Sequence, residues 1–251
     1  MASIKLYGFP KTDPNAPSVS GFCQKLETFL RATSFTSYTL ESTTPSSAPK
    51  GKLPYIVLTH ADGRAPETIA DSHFIICRLV ALGLAPDLDA SLTPAQRADS
   101  RAWQAWTEEL LYTAVVQTRW ARDHNYAATY ASMSIPGLVK PIVMWSLRRR
   151  LVELMRTVGI GKHSVEEVDQ LMKEWVDGLD ARLEGKTFFH GGEHPTLVDI
   201  VLGGFLIQCV GQRSNAEFKK MVMENETLKA YTARSTKTWF PEYKELLKEL
   251  E

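Results

Sequence analysis

Three short stretches carry side chains whose types and spacing suit chemistry. Ser20-Gly21-Phe22-Cys23 stands at the start of a predicted helix. It has the spacing of a Cys-x-x-Cys redox pair with serine in place of the first cysteine, the exposed low-pKa nucleophile of such pairs. Dithiol exchange is therefore not expected. A serine hydroxyl at a helix start can instead donate a hydrogen bond to a bound thiolate, a charge that helix N-termini favour. The same residues also read as an N-cap serine followed by a small core cysteine. In Lys52-Leu53-Pro54-Tyr55-Ile56 the proline has no N–H for a sheet ladder, so it belongs at the first residue of a strand or on an edge. In Glu67-Thr68-Ile69-Ala70-Asp71-Ser72 a strand runs into a helix whose first turn carries an acid and a hydroxyl. Free amides and the positive end of the helix dipole favour a carboxylate there. A ligand with an amino group beside a carboxylate, such as a γ-glutamate, suits Asp71 and Ser72 together, and a plain helix cap is the other reading.

The elements that position these residues alternate in type. Ile4 to Tyr7 reads as a strand, followed by a loop from Gly8 to Ser20 rich in Pro and Ser. Phe22, Leu26, Phe29 and Leu30 fall at helical spacing, so the pattern predicts an amphipathic helix over 20–33. Thr36 to Leu40 reads as a second strand and Glu41 to Gly51 as a loop with room for a helical turn. Pro54 to Thr59 and Glu67 to Ala70 form a predicted hairpin around Asp62-Gly63. Asp71 to Leu82 is a predicted helix ending at Gly83. Strand, helix, strand, hairpin, helix is the outline of a thioredoxin-like α/β unit. In that fold a cis proline at Pro54 turns the Leu53 backbone outward, where it can pair with the backbone of a bound peptide.

Strand signals fade beyond Leu92. Capping boxes at Thr93-Pro94-Ala95-Gln96, Ser164-Val165-Glu166-Glu167 and Thr196-Leu197-Val198-Asp199 each open a predicted helix. The expected division is an α/β domain over 1–83, a linker over 84–92 and an all-α domain over 93–251.

Across 251 residues, 29 Lys+Arg balance 29 Asp+Glu, which disfavours a nucleic-acid partner, and 44% of residues are hydrophobic, enough for a proper core. No apolar run approaches the roughly 18–20 residues of a membrane span. Cys23, Cys77 and Cys209 are isolated, which suits a reducing cytoplasm and excludes a disulfide scaffold. The histidines show no metal-ligand spacing, so no metal is expected.

An α/β unit with Lys-Leu-Pro and an Asp-Ser helix start, followed by an all-helical domain, resembles the glutathione transferase superfamily. The Thr196–Asp199 box after Phe188-Phe189-His190-Gly191-Gly192 is similar to the capping box late in that family's helical domain. Ser20 to Arg31 and Gly159 to Glu167 resemble its failed-axon-connections and metaxin-like branch. The resemblance implies a thioredoxin-like N-terminal domain followed by a helical glutathione-transferase C-terminal domain, with glutathione bound in the first. Ser20 would stabilise the thiolate, and Tyr7 is the reserve hydroxyl. Lys52 would meet the glycine end, the Leu53 backbone would pair with the cysteine, Pro54 would be cis, and Asp71 and Ser72 would hold the γ-glutamyl end. It also implies a homodimer and chemistry of the detoxifying kind. Two departures stand out. Gly21 replaces the usual proline, and the loop from Gly8 to Val19 is longer than in ordinary transferases, so that it could cover the site.

The second substrate, a small hydrophobic electrophile, would lie between the domains. Trp103, Trp106 and Leu110 share a predicted helix face near Tyr112, Arg119 and Trp120, and line an apolar pocket or pack the helical core. Ile142 to Trp145 followed by Arg148-Arg149-Arg150 reads as a membrane or partner contact, or as an amphipathic helix with a solvated basic end. Two functions follow: a glutathione-dependent enzyme performing conjugation, isomerisation, reduction or elimination, or a non-catalytic module retaining the fold for ligand or protein contacts.

Overall fold

A computed structural model describes residues 2–133 and 135–251. Its first element, β1 (Ser3–Gly8), alternates strictly, with Ile4 and Leu6 buried and Lys5 exposed. Helix α1 (Gly21–Ala32) follows, capped by Ser20. Strand β2 (Tyr38–Ser42) begins two residues later than the sequence pattern predicts, because the helix ends in its own hydrogen-bonded reversal. Ser34 takes a left-handed φ of 54°, and the Phe35 amide donates to the Leu30 carbonyl at 2.8 Å. After a 3₁₀ turn at Pro45–Ser47 come β3 (Tyr55–Thr59), β4 (Glu67–Ala70) and α2 (Ser72–Ala81). Gly63, at φ 79°, lies in the turn between β3 and β4, where a positive φ suits glycine.

The sheet order is β2-β1-β3-β4, with β1 parallel to β2 and the other pairs antiparallel. Leu6 pairs with Leu40 on one side and Ile56 on the other. The side-chain period of two puts Ile4, Leu6, Ile56 and Leu58 on the buried face, in one core with Leu26, Phe29 and Leu30 of α1 and Ile75, Ile76 and Leu79 of α2.

The rest of the chain is helical. Helix α3 (Pro94–Ala105) opens on Thr93 with both bonds of the capping box formed, and runs through a π-helical turn at Trp106–Leu111 into α4 (Tyr112–Ala121). Then follow α5 (Asp123–Ser132), α6 (Lys140–Thr157) and α7 (Val165–Leu183), the last opened by the complete Ser164 box. Four more complete the chain: α8 (Leu197–Gly211), α9 (Ala216–Met223), α10 (Glu226–Trp239) and α11 (Lys244–Leu250).

Helix α8 is buried along its length, which explains its unbroken apolar sequence. Its start is fixed by Asp199, whose fully buried carboxylate accepts from the Thr196 amide at 2.9 Å, the Phe189 amide at 2.8 Å and the Tyr231 hydroxyl at 3.0 Å. Gly203 and Gly204 allow close crossings. A Cβ at Gly204 would come within 2.8 Å of the Lys25 Cα, so α8 lies directly against the backbone of α1. One continuous core runs from the sheet through this crossing into the helical part.

Candidate functional site

Strand register brings the Pro54 and Asp71 stretches to one end of the sheet, beside the end of β1, where a Cβ on Gly8 would lie 3.5 Å from the Cys23 sulfur. Tyr55 pairs with Tyr7 near the end of β1 and with Ala70 at the end of β4. The Leu53–Pro54 peptide is cis, as the Lys-Leu-Pro pattern implied, and the Pro54 carbonyl accepts from the Asp71 amide at 3.3 Å. Leu53 is only 7% exposed, yet neither its N–H nor its C=O bonds another protein group among the described residues. A backbone N–H and C=O left without a protein partner at the start of a strand are what a bound peptide backbone would complete. Lys52 beside it is exposed and makes no ion pair among the described residues.

Asp71 caps α2, accepting from the His73 amide at 2.9 Å. Its backbone is at φ 86°, ψ 123°, a sparsely populated region for a side-chain-bearing residue. Ser72 is buried, and its hydroxyl takes no protein partner among the described residues. Behind them His73 is held below its ordinary pKa, chiefly by burial and further by the positive charges of Lys25 and Arg101.

Ser20 occupies the N-cap of α1, where its Oγ accepts from the Cys23 amide at 3.4 Å. That role uses an Oγ lone pair, and the hydroxyl also lies within reach of the Cys23 sulfur, whose pKa it lowers. The Cys23 thiol is fully buried and pushed up in pKa by burial, with Ser20 opposing the rise, so it is a core group rather than a nucleophile. The glycine at position 21 has a packing reason. A Cβ there would lie 2.7 Å from the Phe205 ring of α8.

The preceding residue is clamped. The Val19 carbonyl accepts from Arg119 at 3.2 Å and from Gln208 at 3.2 Å. Arg119 is half-buried and also donates to Asn215 at 3.0 Å; desolvation among neutral partners pushes its pKa down. Its neighbour Tyr112 meets Phe22 edge-on at 4.9 Å, and burial raises its pKa. Tyr112 and Arg119 thus stand beside the start of α1, through Phe22 and the Val19 carbonyl.

The tryptophans do not join them. Trp103 and Trp106 turn toward α7, where a Cβ at Gly178 would lie 3.3 Å and 3.2 Å from their rings. Trp103 also packs on Phe189 at 5.5 Å, and Trp120 is buried against Tyr126 at 6.2 Å. Of the two readings of these three rings, apolar pocket or helical core, their contacts are those of a helical core, because the helices they sit on face α7 and α5 through those residues. Tyr7 stacks flat on Tyr55 at 4.5 Å, on the sheet face opposite the one that α1 covers. Ser20, not Tyr7, is the hydroxyl at the α1 N-terminus.

The long loop leans toward the β2 side of the sheet. Lys11 donates to the Tyr243 hydroxyl at 2.9 Å and pairs with Glu27 at 3.1 Å, and Gln212 donates to the Pro17 carbonyl at 3.2 Å. With Leu40 to Ser42 of β2 the loop roofs a cavity of about 200 Å³ that includes Ser18, Cys23 and Glu27. Pro54 and Asp71 lie at the opposite, β3–β4 side.

One feature near the site escapes sequence reasoning. Lys25, 1% exposed in the middle of α1, pairs with Glu108 of the π-helical turn at 2.5 Å, and Arg101 lies 4.0 Å from the same carboxylate. The signal was a lysine three residues after Phe22 and four before Phe29, on the stripe destined for burial. Among the described residues no group of three or more His, Cys, Asp or Glu side chains is arranged to hold a metal, and no helix is long and apolar enough to cross a membrane.

Residues 21–125 match the family model of the glutathione S-transferase N-terminal domain. The isoprene-epoxide–glutathione S-transferase of Rhodococcus sp. is 30% identical over 75% of this chain and 79% of its own length. The chain belongs to the glutathione transferase superfamily. Failed axon connections of Drosophila melanogaster is 31% identical over 82% of this chain, which spans half that protein's length, and metaxins match as well. These place the chain in the superfamily's failed-axon-connections and metaxin-like branch. The transferase fold itself is seen in a Pseudomonas fluorescens family member solved with two glutathiones bound, with a TM-score of 0.61 at 16% identity over 99% of this chain and 92% of that one.

Proposed function

We propose that this transferase-fold protein binds glutathione at the sheet end and activates its thiol for attack on a small hydrophobic electrophile. The observation that carries the reading is the unpaired Leu53 backbone beside cis Pro54, whose carbonyl accepts from the Asp71 amide at the start of α2. In this arrangement the cysteine backbone of glutathione pairs with Leu53. Its glycine carboxylate meets Lys52, and Asp71 and Ser72 receive the γ-glutamyl ammonium and carboxylate.

The sulfur then lies at the α1 N-terminus. Ser20 donates its hydroxyl proton to the thiolate, and the helix dipole adds to the stabilisation. A free thiol has a pKa of about 8.5, and this setting lowers it, so the proton leaves to solvent near neutral pH. The thiolate attacks an electrophilic carbon held against Phe22 and Tyr112, forming a C–S bond. With an epoxide, the substrate class named for the Rhodococcus relative, the C–O bond breaks and the alkoxide takes a proton from water.

A second reading, a non-catalytic ligand or protein-contact module, is favoured by the commitment of Trp103, Trp106 and Trp120 to the core, which leaves few rings for a second substrate. Retention on immobilised glutathione, followed by conjugation with a small epoxide, separates the two. Binding with turnover supports the enzyme, binding without turnover supports the module, and no binding by the wild type defeats the glutathione site.

A further inference from the structure

Eight of the ten large apolar side chains exposed on the described surface fall between Leu138 and Val165, the stretch that holds α6 and its flanks. They include Leu138 at 97% exposure, Ile142 at 71% and Trp145 at 61%. Helix α6 explains the pattern. Met144 and Met155 face the core, with Leu147 and Leu151 packed beside them. On the outer side Ile142, Trp145 and Arg149 recur at three- and four-residue spacing, and Val143, Arg150 and Leu154 form the next row.

The charge on this face is one-sided. Between Leu138 and Val158 there are five basic residues and one acid, in a chain of zero net charge. Arg148 is already used, donating to the Trp120 and Ala121 carbonyls and pairing with Asp123. Arg149 lies over the Trp145 ring at 5.8 Å, and neither Arg149 nor Arg150 makes an ion pair among the described residues. An apolar tip with a tryptophan, followed by unpaired guanidinium groups, is the composition of a helix that rests at an anionic water–lipid boundary.

A second copy of the chain fits less well. A two-fold contact along the whole stripe would centre near residue 148 and set the unpaired arginines of both copies against each other. A contact confined to the apolar end would rest on five side chains, against the roughly 20–30 residues a side of a stable interface.

We infer that α6 and the turn before it dock on an anionic lipid surface. Leu138, Ile142 and Trp145 enter the boundary between headgroups and acyl chains, and Arg149 and Arg150 meet lipid phosphates and carboxylates. The contact is peripheral, and salt weakens it by screening the arginines.

Flotation of the full chain with vesicles tests this. The probes are phosphatidylcholine vesicles and vesicles of phosphatidylcholine mixed with phosphatidylserine. Wild-type protein should float with the mixed vesicles only and come off as salt is raised. Arg149→Glu/Arg150→Glu and Ile142→Ser/Trp145→Ser, both at exposed positions and checked for native circular dichroism, should each bind at least about tenfold more weakly. Failure of the wild type to float, equal flotation with neutral vesicles, or unchanged binding by folded variants would overturn the inference. So would a dimer in sedimentation velocity that Trp145→Ser dissociates, since the face would then join two copies.

Discussion

The Phe205 ring fills the volume that a side chain on residue 21 would need: a Cβ at Gly21 would sit 2.7 Å from it. Phe22 meets the same ring edge-on at 5.3 Å, so α8 sets the angle at which α1 begins and therefore where Ser20 points. Helix propensity favours alanine over glycine by about 1 kcal/mol, but the clash acts in the other direction. Gly21→Ala should lower stability by about 1–3 kcal/mol in denaturant unfolding, the usual cost of overpacking. Adding Phe205→Leu should recover part of that loss, since the two sites share one volume.

The Lys25–Glu108 pair ties α1 to the π-helical turn out of solvent. Removing one partner leaves an uncompensated buried charge, so Lys25→Met or Glu108→Leu alone should cost about 3–5 kcal/mol. The double substitution should cost much less than either single one. A double-mutant cycle by urea unfolding reads the difference.

Asp71 holds a backbone conformation that a glycine adopts freely. Strain of this kind costs about 1–3 kcal/mol, while replacing an aspartate cap with glycine costs a few tenths. Asp71→Gly should therefore match or exceed the wild type in thermal stability. It should also weaken glutathione binding at least tenfold, about 1.4 kcal/mol, by removing the carboxylate proposed to meet the γ-glutamyl ammonium. Stability gained with affinity lost would identify strain retained for binding.

The three cysteines should differ in reactivity. Burial raises the pKa of Cys23 and pushes that of Cys209 up to about 12, whereas Cys77 is exposed with the His73 ring 3.7 Å from its sulfur. A thiol reagent applied to the native protein should label one site quickly and all three after unfolding. Cys77→Ser should abolish the fast phase.

His73 and His190 set a pH dependence. Burial, with Lys25 and Arg101 for the first and Arg182 for the second, lowers both pKa values in the folded state. The unfolded chain takes up these protons near pH 6.5, about the unperturbed histidine value, and the folded chain only at lower pH. The stabilisation is complete above that pH and is lost as pH falls toward the folded values. Urea midpoints measured down from neutrality should decline, and His73→Gln should flatten the decline.

Much of this was legible because it is written locally. The capping boxes at Thr93, Ser164 and Thr196, the proline opening β3 and the Asp-Ser start of α2 each depend on neighbours within a few residues, and all formed as expected. What was missed depends on which helix lies against which. Trp103 and Trp106 carry the same local pattern whether they line a crevice or face Gly178 of α7. Lys25 could find Glu108, and Gly21 could meet Phe205, only after α1 had been laid across α8 and the π-helical turn. The late start of β2 belongs to the same class, since the Phe35–Leu30 bond that delays it is a helix-end choice invisible in the strand pattern.

The most direct test is to titrate glutathione into the wild type and Ser20→Ala by calorimetry and to follow the thiolate absorbance of the bound tripeptide against pH. Wild-type protein should bind and hold the thiol pKa clearly below the free value of about 8.5. Ser20→Ala should keep most of the affinity and return the pKa toward that value. A wild type that gives no heat, or that binds glutathione with an unshifted thiol, would contradict thiol activation at the start of α1.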